Sequence, residues 1–412
     1  MRRRSPSLRS CRPGRLGLSV VLLLSAAACS DLLTSAPDGG DLFDSPLEGL
    51  TDSEMLAFAR GDREFGRRFA PISGLGPIFN DVSCASCHSG DGRGRRENAL
   101  VRIGTPAEGM AVAIGGPQIQ TKAIYGAEPE PIPSGIPLSL RLPPPVFGVG
   151  LIEAIPEATI VALADPDDAD GDGISGRPNF VLPAGYVPGT EPGSGTTPRI
   201  GRFGRKAQVS SLLEQTVEAY HQDMGITSDF QPVENRNPLA SQPHDAADEV
   251  TDPEIPAATV LAVVNYLRLL APPAPGAMTP QREQGEALFH SIGCASCHVP
   301  TLQTGPSSIA VLADRPVTLY SDLLLHDMGD ALADHRPDGG ASGREWRTAP
   351  LWGLRVMQRF LNGEAFLLHD GRARSVEEAI LLHGGEGQGA RDAFAALGDA
   401  ERRALLDYVS SR

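Results

Sequence analysis

Aromatic residues are scarce in this 412-residue chain, at 5%. Positive charge is scarce too: 36 Lys+Arg stand against 51 Asp+Glu, a net charge of −15. No basic block survives past the N-terminus, which argues against a nucleic-acid partner. The one marked apolar run, Leu16–Leu24, is too short to span a bilayer, so a polytopic membrane protein is excluded. With 41% hydrophobic and 21% charged residues, the chain can still bury a substantial core. Glycine (46) and proline (36) are plentiful, which predicts loops and short helices rather than a large sheet. The length suggests two or three domains of about 150 residues each.

Residues 1–28 read as a signal peptide. They carry six arginines (Arg2, Arg3, Arg4, Arg9, Arg12, Arg15) and no acid, followed by the apolar run and by Ser25-Ala26-Ala27-Ala28-Cys29. Loss of those arginines takes the net charge from −15 to −21. Ala26–Ala28 fits an ordinary cleavage site. The same residues before Cys29 also fit a bacterial lipoprotein signal, although Leu is usual where Ala26 stands. Cysteine counting favours lipidation. Of the six cysteines, Cys11 leaves with the signal and four are used elsewhere, so Cys29 has no disulfide partner. The expected location is periplasmic or outer-membrane-associated, with a lipid anchor as the sole membrane contact.

The other four cysteines lie in two identical pentapeptides, Cys84-Ala85-Ser86-Cys87-His88 and Cys294-Ala295-Ser296-Cys297-His298. Two thiols three positions apart can reach both vinyl groups of one porphyrin, and the next residue places an imidazole under the iron. A zinc site needs no histidine after each second cysteine. A thioredoxin-like disulfide calls for a βαβ setting that is absent. The sequence therefore predicts two covalently bound haems c, with His88 and His298 as proximal ligands. Phe79 and Phe289 each precede their first cysteine by five residues, extending the repeat.

The two motifs are too far apart for one small cytochrome. Residues 256–270 form an apolar-faced helix that stops at Ala271-Pro272-Pro273-Ala274-Pro275-Gly276, a stiff linker. A new helix opens with Thr279 as N-cap and Pro280 at the first helical position. The last helix is expected to be N-capped by Asp399. The predicted organisation is a linker at 29–50, a first haem domain at 51–275 and a second, cytochrome-c-like haem domain at 276–412. The fold class is mainly α, with long Pro/Gly-rich insertions in the first domain at 127–148 and 183–199.

The sixth position of each iron separates carrier from catalyst. Between His88 and His221 there is no histidine, and Met110 is the only methionine between Cys84 and Met224. An open distal face at the first haem follows. In the second domain the candidates are His326, Met328, His335, His369 and His383. His383 has the best setting: Ser375 and Glu378 form a capping box that starts a short helix, and Gly384-Gly385 end it beside His383. His369 reads as a turn residue near a propionate, and His244 as a solvated loop residue.

Glu153 is the acid–base candidate, because Gly150-Leu151-Ile152-Glu153-Ala154-Ile155 is otherwise apolar and burial raises a carboxyl pKa. Glu157 is the fallback. Asp168-x-Asp170-x-Asp172-Gly173 alternates carboxylates about a tight turn and is a candidate calcium loop, although Asn179 stands where an EF-hand has its last acidic ligand.

Several further segments carry a resemblance: Phe65–Phe69 with Gly74–Pro77, Pro143–Glu157, Asp170–Asn179, Asp223–Thr227, Ser321–Gly329, Glu345–Gly353 and His369–Glu386. In these the chain resembles the dihaem oxidoreductases described as peroxidases or thiol oxidoreductases, and more distantly the bacterial dihaem cytochrome c peroxidases. The resemblance implies a mostly helical pair of cytochrome-c-like domains. It implies His383 as the distal ligand of the second haem, where the peroxidases typically have Met, and places their catalytic Glu near Glu153. No histidine matches the one that closes the first haem in resting peroxidases. Arg205 stands where many relatives carry Trp. The expected function is an exported dihaem redox enzyme that takes electrons from a small donor protein at the second haem and reduces hydrogen peroxide or a similar oxidant at the first. The strong negative charge favours a basic donor. The rival readings are a dihaem electron carrier and an oxidoreductase acting on thiols or a partner protein.

Overall fold

A computed structural model describes residues 39–90, 92–103, 116–241, 248 and 250–412. The signal segment, Cys29, Met110 and His244 lie outside the described residues. Helix accounts for 34% and strand for 12%, so the fold is mixed and mainly helical. No helix among the described residues is long and apolar enough to cross a membrane.

Helix α1 (Asp52–Phe65) starts because Thr51 caps it. The Thr51 hydroxyl accepts from Glu54 N–H, and the Glu54 carboxylate accepts from Thr51 N–H at 2.7 Å. Its buried face, Phe58, Gly61 and Phe65, crosses α6 (Ala257–Leu269). Contact is close only because residue 61 has no side chain: a Cβ there would lie 2.2 Å from Ala262 O and 2.5 Å from Tyr266 Cβ. The same device recurs downstream. Helix α7 (Pro280–Ser291) crosses α12 (Asp399–Ser410) at Gly285, whose Cβ would lie 2.2 Å from Ala404 O. The two Cys-x-x-Cys turns form the single-turn helices α2 (Cys84–Cys87) and α8 (Cys294–Cys297).

The predicted cap at Thr279 is present: its hydroxyl accepts from Arg282 N–H at 3.3 Å, with Pro280 in the first turn. At α12 the cap is Gly398 rather than Asp399. Asp399 is the first helical residue, where its charge complements the helix N-terminus, and Glu401 accepts from Gly398 N–H at 3.0 Å.

Three further helices follow, α3 (Val149–Glu153), α4 (Glu157–Val161) and the longer α5 (Leu212–Met224), of which α3 and α5 contribute residues to the first site. Strands are short, as the glycine and proline content predicts. The largest sheet has three: β1 (Leu100–Ile103), β2 (Gln118–Ile119) and β3 (Leu138–Arg141), ordered β2-β1-β3 and antiparallel. A second ladder pairs β4 (Leu325–Asp327) with β5 (Glu345–Arg347), setting His326 opposite Trp346.

One connected apolar core draws on residues from Phe43 to Val409. Part of the segment expected as a linker belongs to it. Phe43 is fully buried, with its ring 4.9 Å from that of Phe147 and 4.3 Å from that of Phe360, and Leu47 is buried beside it. An apolar aromatic in a nominal linker gains more by docking than by remaining in water, by about 1.5–3 kcal/mol for a fully buried side chain. The Pro-rich connection is also held: Ala271 N–H donates to Ser45 O at 2.8 Å and Gly276 N–H to Ser411 O at 2.7 Å.

Candidate active site

The first motif sits at a cavity of about 720 Å³. Ser83 caps α2 by accepting from Ser86 N–H at 3.1 Å, and His88 N–H donates to Cys84 O at 2.9 Å. That single turn brings Cys84, Cys87 and His88 together on the cavity wall. The four motif cysteines form no disulfide among the described residues. Burial, with the charges of Asp223 and Asp81, pushes the Cys87 thiol up, so it is protonated near neutral pH. His88 keeps some accessible surface, but that surface faces the cavity rather than bulk solvent. Burial pulls its imidazole down to about 4, so it is neutral, as an iron ligand must be. The carbonyls of Gly92 and Pro144 face the ring, although Nδ1 makes no hydrogen bond of good geometry. Pro143–Pro145, Phe147 and Trp352 provide apolar walls.

The remaining wall is unusually cationic. Arg102, Arg141, Arg202, Arg205, Arg336 and Arg347 all line it. Some are neutralised: Arg141 pairs with Asp334 at 2.8 Å and Asp338 at 2.5 Å, Arg336 pairs with Asp338, and Lys206 pairs with Asp334 at 2.7 Å. Among the described residues, three of these arginines, Arg202, Arg205 and Arg347, are in no ion pair with a carboxylate, nor is Arg93, which is not among the cavity-lining residues; Arg202 donates to the carbonyls of Ile152, Glu153 and Ile155. Arg93 donates to Met357 Sδ at 3.0 Å, Arg205 to the carbonyls of Leu142 and Pro143, and Arg347 to those of Gly204 and Thr348. Burial lowers Arg93 and Arg347 to about 10 and, together with neighbouring arginines, Arg205 to about 9. Buried charge without a counter-ion is costly, so such a wall calls for bound anions. Paired thiols, a neutral imidazole, apolar walls and surplus guanidiniums for two propionates together fit a haem c. None of the arginines was singled out from sequence as an anion ligand, because they come from residues 93 to 347 with no shared motif.

At the second motif, His298 Nδ1–H donates to Tyr320 O at 3.0 Å. His383 Nδ1–H donates to Ala379 O at 2.7 Å. In each ring this leaves Nε2 as the nitrogen that could bind a metal. Burial lowers both pKa values, His298 to about 4, and the charge of His383 lowers His298 further. Helix α10 (Val376–Leu381), which presents His383, is capped as expected, with Ser375 Oγ accepting from Glu378 N–H at 3.0 Å. The other sequence candidates are differently employed. His326 is clamped by Asp322 at 2.8 Å and Glu386 at 2.7 Å, 3.7 Å from Cys297 Sγ. Burial opposes its charge, but these partners outweigh that and push it up to about 12. A ring with both nitrogens engaged cannot ligate iron. His369 stacks on Trp346 with ring centroids 3.7 Å apart and 7° between planes. His335 is exposed, and Met328 Cε lies beside Gly387, as His383 does.

Glu153 is buried, as expected, but it is not an uncompensated carboxyl. Oε2 accepts from Arg268 Nε at 2.6 Å, and Oε1 accepts from Leu212 N–H at 2.9 Å at the start of α5. It is not among the cavity-lining residues. The premise of a proton shuttle in an apolar segment fails because Arg268, from a distant helix, supplies the counter-charge. Glu157 pairs with Arg199 at 3.0 Å. The carboxyls that do line the cavity include Glu214 and Asp223, both on α5. Burial raises Glu214 to about 7, and its buried Oε2 makes no hydrogen bond; burial raises Asp223 to about 6. Glu214 carried a readable signal, the Ser211-x-x-Glu214 capping pattern, and Ser211 Oγ does accept from Glu214 N–H at 3.2 Å.

In the acidic loop, the structure groups Asp165 with Asp168 and Asp170, with oxygens within 4.8 Å of one another. Asp172 is not in that group; its Oδ1 accepts from Ile174 N–H at 2.8 Å.

Residues 133–412 match the family described as "Di-haem oxidoreductase, putative peroxidase". No curated protein matches. Among solved structures, hydrazine synthase of Kuenenia stuttgartiensis aligns over 99% of this chain and 100% of its own, at 14% identity and a TM-score of 0.38.

Proposed function

Starting from the fact that the chain belongs to the di-haem oxidoreductase family, we propose that it is an exported c-type dihaem redox enzyme that reduces hydrogen peroxide or a similar small oxidant. The observation that carries this is the cavity beside Cys84, Cys87 and His88, with its surplus of guanidiniums. Cys84/Cys87 and Cys294/Cys297 would hold two haems in two cytochrome-c-like units; His88 and His298 would be the proximal ligands and His383 the second distal ligand. When bound, the haems supply one-electron chemistry, drawn from a small, basic donor protein at the second site and spent on the oxidant at the first.

The chain's own residues do the rest. Glu214 lines the cavity and, held near 7, can give or take a proton there. Phe147, Trp352 and the Pro143–Pro145 run exclude water. Glu153 takes a positioning role by fixing the start of α5 through Leu212 N–H. Cleavage after residue 28 and acylation of Cys29 would tether the enzyme in the periplasm. The Asp165–Asp170 group is the place for the expected calcium ion.

The test is to mature the protein in a host competent for haem c attachment and count haems per chain. The half-reduced form is then titrated with peroxide anaerobically under optical and EPR observation. Two covalent haems, a high-spin ferric signal and rapid reaction are expected. Two low-spin haems that ignore peroxide in every redox state would leave an electron carrier. A colourless product would remove the covalent-haem reading altogether.

A further inference from the structure

His383 stands two residues beyond the end of α10, just before the turn Gly384-Gly385-Glu386-Gly387. That turn backs its ring: a Cβ on Gly387 would lie 3.2 Å from His383 Cβ and Cδ2. The turn is also pressed onto the chain leaving β4. A Cβ on Gly385 would collide with Asp327 O, and one on Gly329 would lie 2.9 Å from Gly385 N. Absent side chains permit this approach, but a glycine has none with which to hold it.

Glu386 supplies the hold. Its side chain is nearly buried, and its two oxygens accept four hydrogen bonds. Oε1 accepts from the Ser175 hydroxyl at 2.9 Å and from Asp327 N–H at 3.1 Å. Oε2 accepts from Ser175 N–H at 3.1 Å and from the His326 ring at 2.7 Å. Bonds to a carboxylate are about twice as strong as neutral ones. Two of the four donors come from Ser175, 211 positions earlier in the chain. Beyond His326 the connection continues. His326 Nε2 meets Asp322 Oδ2 at 2.8 Å, and Asp322 N–H donates to Cys297 O at 3.0 Å, one residue before His298. The turn behind His383 is thereby tied to the turn that carries His298.

We propose that Glu386, latched by Ser175, is a positioning residue for His383, so that a segment from the first half of the chain secures the coordination of the second haem. This rests on the reading of His383 as that haem's distal ligand. The test uses the haem-loaded protein. It reads the low-spin ferric EPR signal that His383→Ala removes, and the rate and amount of carbon monoxide bound after reduction. Glu386→Ala loses all four bonds; it should weaken that signal by about tenfold and bind one more carbon monoxide per chain than wild type. Ser175→Ala loses one charge-assisted bond and should speed carbon monoxide uptake by about tenfold. In the Glu386→Ala background the same replacement should add nothing. His326→Ala leaves three donors on Glu386 and should keep the signal even where its melting temperature falls as far as that of Glu386→Ala. If Glu386→Ala keeps the signal and the wild-type carbon monoxide count, or if the signal merely follows melting temperature across the variants, the proposal is overturned. If Glu386→Ala does not fold, Ser175→Ala decides, and unchanged uptake overturns it. A low-spin signal that survives His383→Ala defeats the ligand reading itself, and the proposal falls with it.

Discussion

Replacing Glu153 with Gln separates a structural carboxylate from a chemical one. Its side chain is 5% exposed, and Arg268, its partner, is 10% exposed. Removing one partner of a buried ion pair costs about 3–5 kcal/mol. Two features reduce that here. Arg268 keeps a second carboxylate, Glu191, at 2.7 Å, so its charge is not orphaned. Gln can still accept from Leu212 N–H, retaining a neutral hydrogen bond of about 1 kcal/mol. Glu153→Gln should therefore lose about 2–3 kcal/mol, and Glu153→Ala about 4 kcal/mol, because it also frees the first amide of α5. Urea unfolding of the haem-loaded protein, followed by far-UV circular dichroism, reads both losses as shifts in midpoint at constant slope. Peroxide turnover per haem, measured well below the unfolding transition, should stay within about threefold of wild type, since an acid–base residue typically contributes about 10²–10⁴-fold. A Gln variant with unchanged stability and turnover reduced a hundredfold would refute the positioning role and restore the carboxyl to the chemistry.

Glu214→Gln should show the converse, with little change in stability and a loss of turnover of about 10²-fold. His383→Ala should abolish the low-spin spectrum of the second haem, whereas His326→Ala should keep that spectrum and lower stability; the reverse pattern would make His326 the ligand. Asp334 is held at about 2, because Arg141 and Lys206 outweigh the opposing effect of burial. Its folded pKa lies below the unfolded value near 3.8, so its contribution, about 2 kcal/mol at 1.36 kcal/mol per unit, is complete above pH 4 and lost as pH falls toward 2. Asp334→Asn should lower stability at pH 7 and flatten that acid limb; an unchanged acid profile would show that the pair contributes nothing.

Local patterns were legible where the cause is local. The N-caps at Thr279 and Ser375, the break after residue 270 and the Cys-x-x-Cys-His turns all arise within a few residues, and the structure places them as read, although Glu378 accepts from Arg374 N–H instead of closing a capping box onto Ser375. Glu153 shows the limit. Its apolar neighbours predicted burial correctly, but its partner Arg268 lies 115 positions away, on a helix whose approach could not be read from either segment. Phe43 is similar: its rings of contact are Phe147 and Phe360, more than a hundred residues distant.

The sequence alone carries the expectation of covalent haem attachment, because thiol spacing and the following imidazole are fixed by covalent geometry along the chain. It also determined the helix that presents His383. Tertiary structure alone decided which charges are compensated. Burial and pairing depend on groups converging from distant segments, so only the folded chain shows, among the described residues, that Arg93, Arg205 and Arg347 are in no ion pair with a carboxylate, that Glu153 has an arginine, and that Glu214 lines the cavity.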